Sequence, residues 1–191
     1  MSPTRWGRTR RTSALVVALG LVVLSAAAAA SADNAVVTGT ITGGSLSEST
    51  TATPSFSVTL DGTDKTASYT LPMTLVDARG TGAGWNVTVT STQFSTGAGG
   101  STLSTSASSV QSVSSTCVSG STCTSATNSV TYPLTVPAAS TAPTAVKLFN
   151  AAANTGLGKF TVTPTVQVSV PANTFAGTYT STVTLAVVTG P

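Results

Sequence analysis

The stretch Asp77-Ala78-Arg79-Gly80-Thr81-Gly82-Ala83-Gly84-Trp85-Asn86-Val87-Thr88-Val89 carries two messages. Its second half alternates, with Trp85, Val87 and Val89 on one side and Asn86 and Thr88 on the other, the two-residue period of a half-buried strand. Its first half places Gly80, Gly82 and Gly84 at every second position. Such a run reads as a turn that needs positive φ or close backbone approach, with Asp77 and Arg79 pairing across it. The phase of the alternation puts the Trp85 ring on the buried face.

The same period recurs outward in both directions. Phe56, Val58 and Leu60 alternate with hydroxyl residues, as do Tyr69, Leu71, Met73 and Leu75. Val130 to Val136, Phe160 to Val170 and Tyr179 to Val187 repeat it, and shorter strands are expected around Ala35 to Ile41 and Ala145 to Phe149. Apolar-in, hydroxyl-out strands are how antiparallel sheets with one wet face are written. No segment beyond the first thirty-odd residues sustains a 3.6-residue stripe. The fold class is therefore all-β, an antiparallel β-sandwich of about seven to nine short strands in a single domain. Pro72, Pro133 and Pro164 interrupt three patterns and mark those strands as edges or bends. Thr42 to Ser55 and Ser95 to Ser129 are rich in Ser, Thr and Gly. The second is too long for a structureless loop and should contain one or two weak strands.

The first residues look like an export signal. Arg5, Arg8, Arg10 and Arg11 form a basic start, Ala14 to Leu24 is apolar, and Ala30-Ser31-Ala32 is a small-x-small cleavage site. The apolar run is shorter than the ~20 residues of a membrane span. Residues 1–32 thus read as a cleaved signal peptide and residues 33–191 as the mature domain, secreted and without a membrane span. Arg10-Arg11 lacks the bulky apolar neighbour of the twin-arginine route, so the ordinary secretory route is favoured.

Removal of the leader changes the charge balance. What remains is Lys65, Arg79, Lys147 and Lys159 against Asp33, Glu48, Asp61, Asp64 and Asp77, a net charge of −1. No basic patch is left to bind nucleic acid by counterion release. Cys117 and Cys123, in an exported chain, read most simply as a small-loop disulfide.

The residues offer no catalytic constellation. The chain has no histidine, so Ser-His-Asp and Cys-His arrangements are impossible. Cysteine spacing does not fit a zinc site, so neither metal nor cofactor is expected. Asp61, Asp64 and Asp77 could in principle supply a carboxylate pair, but they sit in turn-like contexts and read as turn formers. No catalytic residue is assigned. The sequon Asn86-Val87-Thr88 falls inside a predicted strand and reads as chance.

From Asp77 to Val87 the residues resemble the proximal motif of the WxL domain family, an Asp-x-Arg-Gly-Thr-Gly-Ala-Gly run leading into Trp-x-Leu, here Trp-x-Val. A second resemblance covers Val170-Pro171, Ala176-Gly177-Thr178-Tyr179 and Pro191, similar to the family's closing hairpin. Where the family's distal Trp would stand this chain has Leu185, followed by Ala186 and Val187, so that motif is degraded. The resemblance implies an all-β surface domain of Gram-positive bacteria that attaches non-covalently to peptidoglycan, often beside other surface proteins. It makes Asp77, Arg79, Gly80, Gly82, Gly84 and Trp85 the candidate binding residues, with the glycine-rich loop as their exposed part. Thr189-Gly190-Pro191 carries no sorting motif or apolar tail, so covalent wall attachment is not expected. The other reading is a structural subunit of a surface fibre or layer that assembles through strand edges, since the strands carry so little of the charge that usually blunts an edge.

Overall fold

The computed structural model describes residues 33–191, and the expected signal peptide lies outside the described residues. The chain divides into two units between Thr40 and Ile41. Of the first, residues 33–40 have no regular secondary structure and are exposed. The second, Ile41–Pro191, is all-β. In chain order its strands are β1 (Leu46–Ser49), β2 (Lys65–Thr70), β3 (Met73–Asp77), β4 (Trp85–Thr92), β5 (Ser108–Cys117), β6 (Leu134–Thr135), β7 (Ala138–Ala139), β8 (Val146–Ala151), β9 (Gly158–Val170) and β10 (Val183–Thr189). They form two sheets, the sandwich expected from the alternation.

In the larger sheet the order is β1-β3-β9-β5-β6, and β2 pairs with β9 as a continuation of β3. β9 is the spine. One of its edges takes β3 along Gly158 to Val162 and β2 along Thr165 to Val170, while the other takes β5 along nearly its whole length. In the smaller sheet β4 is central, with antiparallel β10 on one side and antiparallel β8 with short parallel β7 on the other. Met73, Leu75, Phe160, Val162 and Val166 of the larger sheet meet Trp85, Val87, Val89, Leu148 and Phe149 of the smaller in one core. Period and phase place all of these except Leu148 and Phe149, neighbours in β8 that are both buried because a bulge opposite Val87 and Thr88 breaks the alternation.

Four sequence expectations change. Ala35 to Ile41 forms no strand: a strand exists through its ladder, and no described residue pairs with it. Phe56, Val58 and Leu60 do alternate in burial, packing on Val168 and Val170, yet residues 51–60 make no ladder and are not a strand. Pro164 lies in the central strand β9, not at an edge. Its carbonyl accepts from Leu71 N at 3.0 Å, and the return bond that a proline cannot donate is missing at the break between β2 and β3. Finally, of the expected strand Val130 to Val136 only Leu134–Thr135 (β6) forms a ladder, while the strand expected in the Ser/Thr-rich region is present as the ten-residue β5, paired with β9 on one side and β6 on the other. Serine is a poor strand former, but β9 supplies the ladder and Val110 the buried anchor.

Cys117 ends β5 and is bonded to Cys123, with Cα atoms 5.9 Å apart. The closed loop is clasped to the start of β9 by Val118 N to Lys159 O at 3.0 Å and Thr124 N to Leu157 O at 2.8 Å. It therefore holds Leu157 to Lys159 in place, next to Gly156, whose carbonyl accepts from the Trp85 indole.

Candidate functional site

The glycine-rich motif connects β3 in one sheet to β4 in the other. Asp77 closes β3 and is 2% exposed. Arg79 folds back on it in a two-pronged pair, Nε to Oδ1 and Nη2 to Oδ2 both at 2.9 Å, and its backbone N–H adds a bond to Oδ1 at 3.2 Å. The guanidinium has further partners: Nη2 donates to Gly84 O at 2.8 Å and Nη1 to Thr189 Oγ1 at 2.9 Å. One planar group thus ties the end of β3, the start of β4 and the end of β10. The Arg79 hydrogen bonds hold the Asp77 carboxyl below its ordinary value against the opposing effect of burial, and Asp77 raises Arg79 in return. Both remain charged across the physiological range.

Trp85, the first residue of β4, is fully buried. Its ring lies 5.8 Å from Phe149 and 6.3 Å from Phe160, centroid to centroid, with tilts of 43° and 55°. Since Phe160 belongs to the larger sheet and Phe149 to the smaller, the indole is packed between the two. The indole N–H donates to Gly156 O at 2.8 Å, which removes the penalty of about 1–3 kcal/mol for a buried unpaired donor.

Two glycines are required by this packing. At Gly84, φ +71°, an added Cβ would stand 2.5 Å from Ala151 O. At Gly156, φ +69°, it would run into Ala151 Cβ and lie 2.7 Å from Trp85 Nε1. No other residue type fits either place without moving the indole or β8. Gly80 and Gly82 also have positive φ, and Gly82 O accepts from Asn154 N at 2.8 Å.

Of the candidate binding residues, the structure brings Asp77, Arg79, Gly84 and Trp85 together as one internal cluster. Asp77 and Trp85 present no side chain to a ligand, because one is saturated by Arg79 and the other is enclosed by aromatic rings and Gly156. In this structure both side chains serve the join between the two sheets. Gly80 is exposed and Gly82 half-buried, and with Thr81 and Ala83 they form the part of the motif that faces solvent. Sequence reasoning missed Gly156, Asn154 and Thr189, which complete the cluster from distant positions. The turn-rich string Asn154-Thr155-Gly156-Leu157-Gly158 was the available signal for the first two. Leu185, at the position of the degraded distal motif, faces inward from β10 opposite Val89 and packs against the same core.

Asp61 is bonded to Lys65 Nζ at 2.6 Å and to Thr63, and Asp64 Oδ1 accepts from Ala172 N at 2.8 Å. With Asp77 committed to Arg79, each carboxylate considered for acid-base work already has a structural partner. Among the described residues no group of three His, Cys, Asp or Glu side chains could hold a metal ion.

A family model described as WxL domain surface cell wall-binding matches residues 36–191. No curated protein and no solved structure matches the chain.

Replacing Arg79 with Ala strands a nearly buried carboxylate and should destabilise the domain by about 3–5 kcal/mol. R79K should restore only part of this, because an ammonium cannot reproduce the fork. Urea unfolding with an unchanged m-value checks both.

Proposed function

The chain belongs to the WxL family of surface cell wall-binding domains, and from that membership we propose that it is exported and associates non-covalently with the peptidoglycan of a Gram-positive wall. The family match over residues 36–191 carries this reading. It is supported by the seating of the Asp77 to Trp85 motif as a closed structural unit, which makes the motif a mark of the fold. A binding role rather than catalysis is supported by the commitment of Asp61, Asp64 and Asp77 to local partners and by the lack of histidine in the sequence. The degraded distal motif does not weaken the proposal. Leu185 is a smaller core residue at an inward position, so the substitution alters packing rather than a surface that touches the wall.

Purified peptidoglycan should pull the chain into the pellet, and denaturant without muralytic enzyme should release it. A chain that stays wholly in the supernatant while another family member pellets contradicts the proposal.

A second reading, assembly as a surface fibre or layer, is favoured by one observation. The outer edge of β10 is unpaired among the described residues. Thr182 O and Gly190 N point at β4, bonded to Thr92 N at 2.9 Å and Gly84 O at 3.2 Å. Alternation therefore turns the N–H and C=O groups of Val183, Leu185, Val187 and Thr189 outward. This edge, VTLAVVT, has no charge, proline or bulge to blunt it. Size-exclusion chromatography should then show oligomers that grow with concentration, whereas a persistent monomer rules the reading out.

A further inference from the structure

The closing hairpin singled out in the sequence, Val170-Pro171 and Ala176-Gly177-Thr178-Tyr179, plays no part in the cluster around Trp85. It frames the connection from β9 to β10 at the opposite pole of the sandwich. β9 runs thirteen residues between the poles, roughly 40 Å at ~3.3 Å per residue.

This connection is pinned. Thr174 N donates to Pro171 O at 3.0 Å, Ala172 N to Asp64 Oδ1 at 2.8 Å, and Tyr179 Oη to Phe175 O at 2.9 Å. Ser95 and Thr180 exchange backbone bonds at 3.0 and 2.9 Å, which fastens it to the neighbouring loop. On this held backbone Phe175 is 76% exposed. Every other described aromatic side chain is buried or half-buried. A single exposed apolar residue is ordinary on a protein surface. One whose own carbonyl is bonded by Tyr179, in a loop fixed at both ends, has its ring presented rather than left loose.

We propose that Phe175 is a stacking platform for the pyranose rings of an uncharged glycan strand, and that the domain meets the wall at this pole. The proposal rests on the wall-binding reading above and names its contact. A pyranose offers a face of C–H groups, and an aromatic ring offers a negative face to receive them. Exposed hydroxyl residues of the two abutting loops, Thr96 and Thr178 among them, supply hydrogen-bond partners for the sugar hydroxyls. An anionic wall polymer does not fit here. The charges of this pole are Asp61, Asp64 and Lys65, and Lys65 is already paired with Asp61.

The test is co-sedimentation of the exported chain with peptidoglycan stripped of anionic polymers. F175A and F175L should keep the wild-type unfolding midpoint, because the ring is exposed, and should bind about tenfold more weakly. F175W should bind at least as well as wild type, and soluble uncharged glycan fragments should compete. F175L keeps apolar bulk without a ring and decides the matter even where F175A folds poorly. If F175L pelleted like a pelleting wild type, or if binding required the anionic polymers, the platform would be overturned while wall binding stood. A wild type that never pellets removes both.

Discussion

Closure of the two sheets over the Trp85 indole is the constraint on which the rest of the structure depends. A buried indole removes about 150–250 Å² of surface from water, and losing such a side chain costs about 3–5 kcal/mol from a total of about 5–15. That gain requires Phe149 and Phe160 to approach from different sheets and requires an acceptor for the indole N–H. Gly156 O supplies the acceptor. The Cys117–Cys123 loop in turn holds the start of β9 through Leu157 and Lys159, and Thr124 O accepts from Gly156 N at 2.9 Å. Residues far apart in the chain are thereby made to agree on one geometry.

The ion pair beside the indole has a different task. Arg79 is the only arginine beyond residue 32, and it is placed where a planar fork can join three strand ends at once. In a domain with so few charges, its value lies in orientation: it sets the angle at which the chain leaves β3 and enters β4. The motif is then a device for turning from one sheet to the other. Leu185 fits this division, since the distal motif position also points inward.

Much of this was legible in the sequence because period and phase are local properties. The inward set of β4 and β9 followed from alternation alone, and so did the burial of Trp85. What the sequence hid was pairing. Phe56 to Leu60 and Val183 to Val187 alternate equally well, yet only the second finds a ladder. The serines of β5 give almost no apolar signal, yet β9 draws them into the interior of a sheet. Pro164 suggested an edge or a bend, yet it lies in the central strand β9, opposite the break between β2 and β3. The partners of the motif were hidden for the same reason. Gly156 and Thr189 lie far away in sequence: the string around Gly156 announces a turn but not that its carbonyl meets the indole, and nothing beside Thr189 announces a partner for Arg79.

The central claim is that Trp85 is an enclosed pillar and not a sugar platform. Residues 33–191 contain no other tryptophan, so its fluorescence reports on this one ring. The account predicts blue-shifted emission that resists quenching by iodide and acrylamide and does not change when peptidoglycan is added. Red-shifted, readily quenched emission that becomes protected on binding peptidoglycan would contradict it.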